Sequence, residues 1–188
     1  MEVVQLTVVN RMLMTRASLP LNLVDIEARI PGRGDILVIG KRMKPVTSLR
    51  KGRPTMLTWR VKKKEKSLTI LFFPNGTIQC VGNTCDDDVR CMHTELCTVL
   101  QMQLPDWKVK SMTVLCILNK TCNFRHLSSN KHVTYEVEIF PAAQMTFWRN
   151  VHVHVFHNGK MIITGITDIC HASNVVHDVV DYLNKQNV

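Results

Sequence analysis

Two stretches with the same pattern decide the fold: Phe73-Pro-Asn-Gly-Thr-Ile-Gln-Cys-Val-Gly82 and Phe156-His-Asn-Gly-Lys-Met-Ile-Ile-Thr-Gly165. The Phe, the Asn and both Gly of the first stretch recur 83 positions later. In each stretch an Asn-Gly pair separates two runs of alternating apolar residues, which is the strongest local signal for a β-hairpin with a type I′ turn. The sequence therefore predicts two hairpins, one in each half of the chain.

Each hairpin is followed by a helical pattern. Apolar residues recur at helical spacing after Asp86-Asp87-Asp88 and after Asp168. Acidic residues are favoured in the first turn of a helix because they complement its dipole. The sequence therefore predicts two long helices.

Strand patterns precede the hairpins. Gln5–Val9 matches Ser111–Leu115 as the opening strand of each half, and a middle strand is predicted at Thr55–Lys62 and at about Gln144–Trp148. Mixed strands and helices joined by hairpins predict an α+β fold, with an antiparallel sheet and long helices on one face.

The two predicted repeats, residues 1–104 and 105–188, differ in length. The surplus lies in the first repeat, between about Ile30 and Pro54, where seven Lys or Arg and four Gly occur. This stretch is predicted to be a basic, partly irregular insertion.

Composition limits the class of protein. The chain of 188 residues has 24 Lys and Arg against 15 Asp and Glu, a formal net charge of +9, which favours an acidic polymer or surface as partner. A hydrophobic content of 45% excludes global disorder, and the longest apolar run, about Met112–Leu118, is too short to span a membrane. The N-terminal residues do not have the pattern of a secretory signal. Seven cysteines without a C-x-x-C pair favour buried thiols in a reducing compartment over a disulfide framework.

Alternation assigns the hairpin residues to two faces of the sheet. One face carries Thr69, Leu71, Phe73, Gln79 and Val81 in the first hairpin, and His152, His154, Phe156, Ile162 and Thr164 in the second. Because the helices cover only one face, the other is a candidate binding surface unless a further element covers it.

Several motifs resemble those of the TATA-box-binding protein (TBP) family. They are Tyr135-Glu-Val-Glu-Ile-Phe-Pro141 with Phe156–Gly165 for the second repeat, Met56–Val61 with Leu71–Gly82 for the first, and Asp106–Cys116 for the opening strand of the second. The resemblance covers nearly the whole chain and is weak in Ile30–Pro54 and Asn123–His132. The chain is interpreted as a divergent member of this family, and its divergence leaves a viral origin open.

The resemblance implies a saddle of two pseudo-symmetric repeats, in which a curved antiparallel sheet has helices on its convex face. In the family, the concave face binds the minor groove, and phenylalanines enter base steps and bend the duplex. Phe73, Phe140 and Phe156 match three of the four wedge positions, and the fourth falls at about Pro54.

Other positions of the family's DNA-binding face also match. The two family Asn residues near the pseudo-dyad become Gln5 and Ser111, which can still donate hydrogen bonds, and Arg60 matches a basic position. The remaining predicted DNA-binding residues are Thr7, Lys62, Lys63, Lys64, Leu71, Gln79, Val81, Thr113, His154, Ile162 and Thr164. Lys62, Lys63 and Lys64 either belong to a solvated loop or neutralise DNA phosphates. Because this face is more polar than is usual in the family, weaker or altered preference for the TATA element is expected.

The resemblance also implies a protein partner. In the family the acidic stirrup contacts transcription factor IIB, and Glu136, Glu138 and Ile139 fit that pattern. The alternative is an exposed acidic loop on a basic protein. The expected partners are double-stranded promoter DNA, a factor IIB-like protein and the RNA polymerase initiation machinery, with the protein a monomer on DNA and no membrane involved.

Catalytic and metal-binding patterns are weak. His152 and His154 share a strand face, but a zinc site needs three or four converging ligands, and the sequence supplies no such spacing. It has no Gly-rich phosphate loop, nucleophile elbow or acid pair. We therefore expect no enzymatic activity, no metal and no cofactor.

The resemblance implies two alternative functions. The first is a minor-groove-binding transcription initiation factor that bends promoter DNA and recruits general transcription factors. The alternative is an interaction scaffold in transcription that has kept the fold but has weak or no DNA bending. The expected location is the nucleus, or a cytoplasmic viral factory.

Overall fold

The computed structural model of the protein describes residues 1–30, 56–63, 66–127 and 131–186. The helices in these ranges are α1 (Leu23–Arg29), α2 (Asp86–Leu100) and α3 (Ile169–Lys185), with a 3-10 turn at Phe124–His126. The strands, in chain order, are β1 (Val3–Arg16), β2 (Leu57–Lys63), β3 (Lys66–Phe72), β4 (Thr77–Gly82), β5 (Lys108–Leu118), β6 (Val133–Thr134), β7 (Ala142–Met145), β8 (His152–Phe156) and β9 (Lys160–Ile166). None of these helices is long and apolar enough to cross a membrane.

The chain divides into two compact units. The first unit is Arg11–Val109, and the second unit combines Met1–Asn10 with Lys110–Val188. Strand β1 therefore contributes residues to both units. The predicted repeats differ from these units mainly in the placement of Met1–Asn10.

The first unit contains an antiparallel sheet in the order β2-β3-β4-β1. Its strands alternate as predicted, so that every second side chain is buried in one hydrophobic core with residues of α1 and α2. The core side chains include Leu13, Trp59, Ile70, Phe72, Ile78, Met92 and Leu96. The helices thus cover one face of this sheet, as the sequence predicts.

The second unit has its strands in the order β1-β5-β9-β8-β7-β6. Helix α3 begins after Asp168, whose side chain accepts a hydrogen bond of 2.8 Å from the backbone N–H of His171. This is the usual role of Asp at a helix N-cap. The buried side chains alternate along the strands and recur along α3, and include Val114, Cys116, Val153, Val155, Met161, Ile163, Ala172, Val176, Val179 and Leu183.

Both predicted hairpins are present, but the predicted turn type is wrong. The turn glycines, Gly76 and Gly159, have φ of 87° and 79°, whereas the Asn before each lies outside the positive-φ region. A type I′ turn needs positive φ at both residues, so these loops are type I turns followed by a left-handed Gly. Each Asn side chain instead accepts a hydrogen bond from the backbone N–H two residues later, at 3.0 and 3.1 Å.

The correspondence between the opening strands also differs from the prediction. The backbone N–H of Ala17 donates to Gly76 and that of Leu118 to Gly159, both at 2.9 Å. Since the two glycines are 83 residues apart, positions in β1 correspond to positions 101 residues later in β5. Strand pairing agrees, because Met14 lies opposite Gln79 and Leu115 opposite Ile162.

The predicted match of Gln5–Val9 with Ser111–Leu115, which are 106 residues apart, is therefore wrong. The counterpart of Ser111 is Asn10, not Gln5, and that of Thr113 is Met12, not Thr7. The error has a physical origin, since a pattern that alternates with period two resembles itself at many offsets.

The middle strands are shifted relative to their predicted limits. Strand β7 ends at Met145, so Phe147 and Trp148 follow the strand instead of belonging to it. The indole N–H of Trp148 donates to Asp178 on α3 at 3.3 Å, and Phe147 packs against Tyr182 of the same helix. The basic insertion from about Ile30 to Pro54 lies, apart from Ile30, outside the described residues.

Candidate nucleic-acid interface

The first unit has an open face, defined as the face of its sheet opposite the helices. Two rows of side chains cross it, because paired residues point to the same side. One row is Thr58, Leu71, Gln79 and Met14, and the other is Arg60, Thr69, Val81 and Met12. Arg60 is exposed and the other seven are half-buried. The predicted residues Arg60, Leu71, Gln79 and Val81 are therefore brought onto one surface.

Phe73 lies on the side of the chain expected for a wedge. Its neighbour Phe72 is fully buried and stacks on Trp59, with ring centroids 6.5 Å apart. Phe73 comes directly after β3, is half-buried and does not belong to the core. The hairpin holds it in place, since its backbone N–H donates to Thr77 at 2.9 Å.

The second unit has an open face of its own, defined in the same way. One row is Leu115, Ile162, His154 and Gln144, and the other is Thr113, Thr164 and His152. His152 is exposed and the other six are half-buried, while the intervening residues, such as Val153 and Ile163, are fully buried. The predicted residues Thr113, His154, Ile162 and Thr164 therefore share this face.

Two of the predicted wedge residues meet on this second open face. The ring of Phe140 contacts Phe156 edge to face, with centroids 6.1 Å apart, and contacts His154 at 5.2 Å. Both phenylalanines are half-buried. A short turn positions Phe140, because its backbone N–H donates to the carbonyl of Glu136 at 2.9 Å.

The same turn exposes the predicted partner-binding residues. Glu136 and Glu138 are exposed, and Ile139 has 77% of its surface accessible. Val137, between the two glutamates, is also exposed, so the turn offers apolar contacts beside negative charge.

Some predicted site residues cannot be placed. Pro54 and Lys64 lie outside the described residues, and of Lys62 and Lys63 only the backbone, in β2, is described. Gln5 is exposed, and its side-chain N–H donates to the hydroxyl of Thr7 at 3.0 Å.

The open faces also contain residues that sequence reasoning missed. They are Met12, Met14, Thr58 and Gln144. Alternation along each strand was available as a signal, but choosing the face required the correct strand limits and register.

The environment of His154 lowers the pKa of its imidazole below the usual 6.5, first because the ring is partly removed from water and second because His152 is nearby. A lowered pKa means that the folded state disfavours the protonated ring. This stabilising contribution is complete above pH 6.5 and is lost as the pH falls through the lower pKa of the folded state.

We therefore expect the free energy of unfolding to fall between about pH 7.5 and about pH 5.5, and to fall less in the His154→Gln variant. Urea unfolding at the two pH values measures this difference. His157→Gln, which removes an exposed imidazole, is the matched control. Equal pH dependence in wild type and His154→Gln would contradict the assignment.

The described ranges hold seven free cysteines, of which Cys80, Cys116 and Cys122 are buried, Cys97 is half-buried and the other three are exposed, so the expectation of buried thiols holds for part of them. The same ranges contain no cluster of three or more His, Cys, Asp or Glu side chains able to hold a metal ion. Burial raises the pKa of Cys80 to about 12 and that of Cys116 to about 11, so these thiols stay protonated and pack as small apolar side chains.

Comparison with known proteins identifies the fold and finds a family match in the second half of the chain. Residues 106–186 match the family model described as "Transcription factor TFIID (or TATA-binding protein, TBP)". The structure is similar to that of Methanococcus jannaschii TBP, with a TM-score of 0.74 and 17% sequence identity, over 96% of this chain and 99% of that one. A search of curated protein sequences returns no match.

These findings confirm the predicted TBP-like α+β fold, which the structural match shows over nearly the full chain. The family model adds sequence evidence across the second half, where the acidic turn, hairpin and α3 lie. The chain thus has the fold of TBP, and its residues 106–186 match the sequence model of the TBP family.

Proposed function

We propose that this TBP-like transcription factor binds promoter DNA in the minor groove through the open faces of its two units and bends the duplex by inserting phenylalanines. The observation that carries the proposal is the position of Phe73, Phe140 and Phe156, which are half-buried and lie away from the helix-covered cores. Apolar side chains wedged into base steps unstack them and kink the duplex.

The composition of the open faces suits this role. Leu71, Val81 and Ile162 offer apolar contact with the groove floor, and the hydroxyls of Thr113 and Thr164 can donate to adenine N3 or thymine O2. The net charge of +9 favours approach to the phosphates.

We further propose that the turn from Glu136 to Phe140 recruits a factor IIB-like protein. Glu136, Glu138 and Ile139 are exposed together, so a basic partner with a small apolar pocket would find complementary charge and shape. We expect a monomer on DNA that acts with the RNA polymerase initiation machinery in the nucleus.

The second candidate function is a transcription scaffold that binds proteins and does not bend DNA. It is favoured by the polar residues Gln79, Gln144, His152 and His154 on faces that must otherwise enter a narrow groove. Buried polar groups that find no partner in the complex would weaken binding.

One titration separates these functions. An AT-rich duplex carrying a fluorescent dye at each end is titrated with the protein at two salt concentrations. Binding with increased energy transfer supports the proposed function. Salt-sensitive binding without a change in end-to-end distance indicates a general basic surface, and capture of a factor IIB-like protein without DNA binding indicates the scaffold.

Arg60 provides a test of phosphate contact within this assay. Replacing it with glutamine should weaken binding to all duplex sequences alike and reduce the slope of log K against log salt by about one, since each neutralised phosphate contributes about 0.9 to that slope. The matched control is Arg29→Gln, which removes an exposed Arg from the last turn of α1. A loss confined to one DNA sequence, or an equal effect of the control, would contradict this role.

A further inference from the structure

The second open face contains a polar pair that the first lacks. Gln144 on β7 lies directly opposite His154 on β8, so their side chains are neighbours on the same face. The ring of Phe140, 5.2 Å from the imidazole, packs beside the pair. Both polar residues are half-buried and therefore accessible to a ligand on this face.

The equivalent positions of the first unit are different. The counterpart of His154, 83 residues earlier, is Leu71, which lies opposite Thr58. The two open faces therefore differ in chemistry at the same place in their sheets, with an apolar residue and a hydroxyl in one and an imidazole and a carboxamide in the other.

This difference matters for one base pair in particular. In the minor groove A·T pairs present only acceptors, whereas G·C adds the N2 amino group of guanine, which is a donor. An apolar surface leaves that donor without a partner, which is costly in a water-excluding interface. A neutral imidazole has one acceptor nitrogen, and a Gln side chain has an acceptor oxygen.

We infer that Gln144 and His154 form a guanine-accepting site, so that the DNA bound by the second unit contains a G·C pair where an apolar face would admit only A·T. This inference rests on the proposed minor-groove binding and specifies its sequence preference. The site reads the N2 amino group through acceptors on two adjacent strands.

Protonation of the His154 imidazole should make the preference for guanine depend on pH. The titratable side chain that faces His154 in the described part of the chain is His152, on the same strand, while Gln144, Ile162 and Phe140 are uncharged. A protonated imidazole has two donors and no acceptor. Preference for guanine should therefore decline as the solution becomes acidic.

The test uses inosine, which differs from guanine in the minor groove only by lacking the N2 amino group. In an AT-rich duplex that the protein binds, each A·T pair is replaced in turn by G·C and by inosine·C. At one or two adjacent positions we expect G·C to bind about 5-fold more tightly than inosine·C, the effect of one net hydrogen bond.

Substitution of Gln144 and His154 tests whether these two residues cause the preference for G·C over inosine·C. The double variant Gln144→Thr with His154→Leu gives the second face the residues of the first, and should make inosine·C bind at least as tightly as G·C at those positions. His177→Gln, which removes an exposed imidazole from α3, is the control and should leave the preference unchanged.

The outcomes are distinct. A wild-type protein that binds duplexes but prefers inosine·C to G·C, or does not distinguish them, at every position overturns the guanine-accepting site and leaves minor-groove binding in place. Failure to bind any duplex overturns the proposed function and this inference with it. Since the wild-type comparison needs no variant, a variant that fails to fold does not affect the result.

Discussion

Simultaneous replacement of Phe140 and Phe156 by alanine is expected to reduce DNA bending strongly, leaving only the kink made by Phe73, and to weaken binding to an AT-rich duplex by about 30-fold or more. Stacking of a base on an aromatic side chain contributes about 1–3 kcal/mol, and two rings are lost. The rings contact each other edge to face at 6.1 Å on the second open face, so they are expected to act on DNA as one wedge.

Energy transfer between dyes at the duplex ends measures the bending. The conservative variant, both phenylalanines replaced by leucine, should retain part of the bend because leucine also serves as an apolar wedge. Ile169→Ala is the control, since it shortens a large exposed side chain at the start of α3, away from the open face. Unchanged bending in the alanine variant would contradict the wedge role.

Replacement of Gly165 by alanine is expected to lower the free energy of unfolding by about 4 kcal/mol, among the largest effects of a single substitution. Gly165 has φ of 87°, a conformation that side chains disfavour, and an added Cβ would lie 1.8 Å from the backbone oxygen of Asn150. A backbone atom cannot move aside as a flexible side chain can.

Urea unfolding followed by circular dichroism measures this loss. Gly76→Ala is the matched control, because Gly76 has the same φ of 87° but its added Cβ would lie 3.0 Å from the nearest atom, the carbonyl oxygen of Ala17. It should cost about 1–2 kcal/mol for the left-handed conformation and in total less than Gly165→Ala, because its nearest neighbours would have to move by only a few tenths of an ångström. Equal losses in the two variants would show that the close approach to Asn150 does not constrain the second unit.

Local sequence patterns carried most of the fold prediction. Alternation around the two Asn-Gly pairs identified the hairpins and separated the residues of the two sheet faces, and the structure buries Phe72 in the core and leaves Phe73 outside it. Asp168 marked the start of α3 for a local reason, since its side chain bonds a backbone N–H three residues later.

The turn type was predicted less well, although it is also a local feature. The phenylalanine carbonyl accepts a hydrogen bond from the turn glycine in each loop, at 3.1 and 3.0 Å. This hydrogen bond makes Pro74 and Asn75 the central residues of the first turn, whereas the prediction centred it on Asn75 and Gly76; the fixed negative φ of Pro74 favours a type I turn. The prediction gave more weight to the Asn-Gly pair than to the φ of Pro74. The DNA-contacting roles of the loop residues stay predictions.

Sequence alone thus determined the duplication, the hairpins, the helices and which hairpin residues share a face, because each depends on residues close together along the chain. Only the tertiary structure decided that Asn10 is the counterpart of Ser111 and that Gln144 lies opposite His154. Strand pairing joins residues far apart in the chain, and a pattern of period two is compatible with many registers. The register is selected only when the side chains of one face pack against the helices.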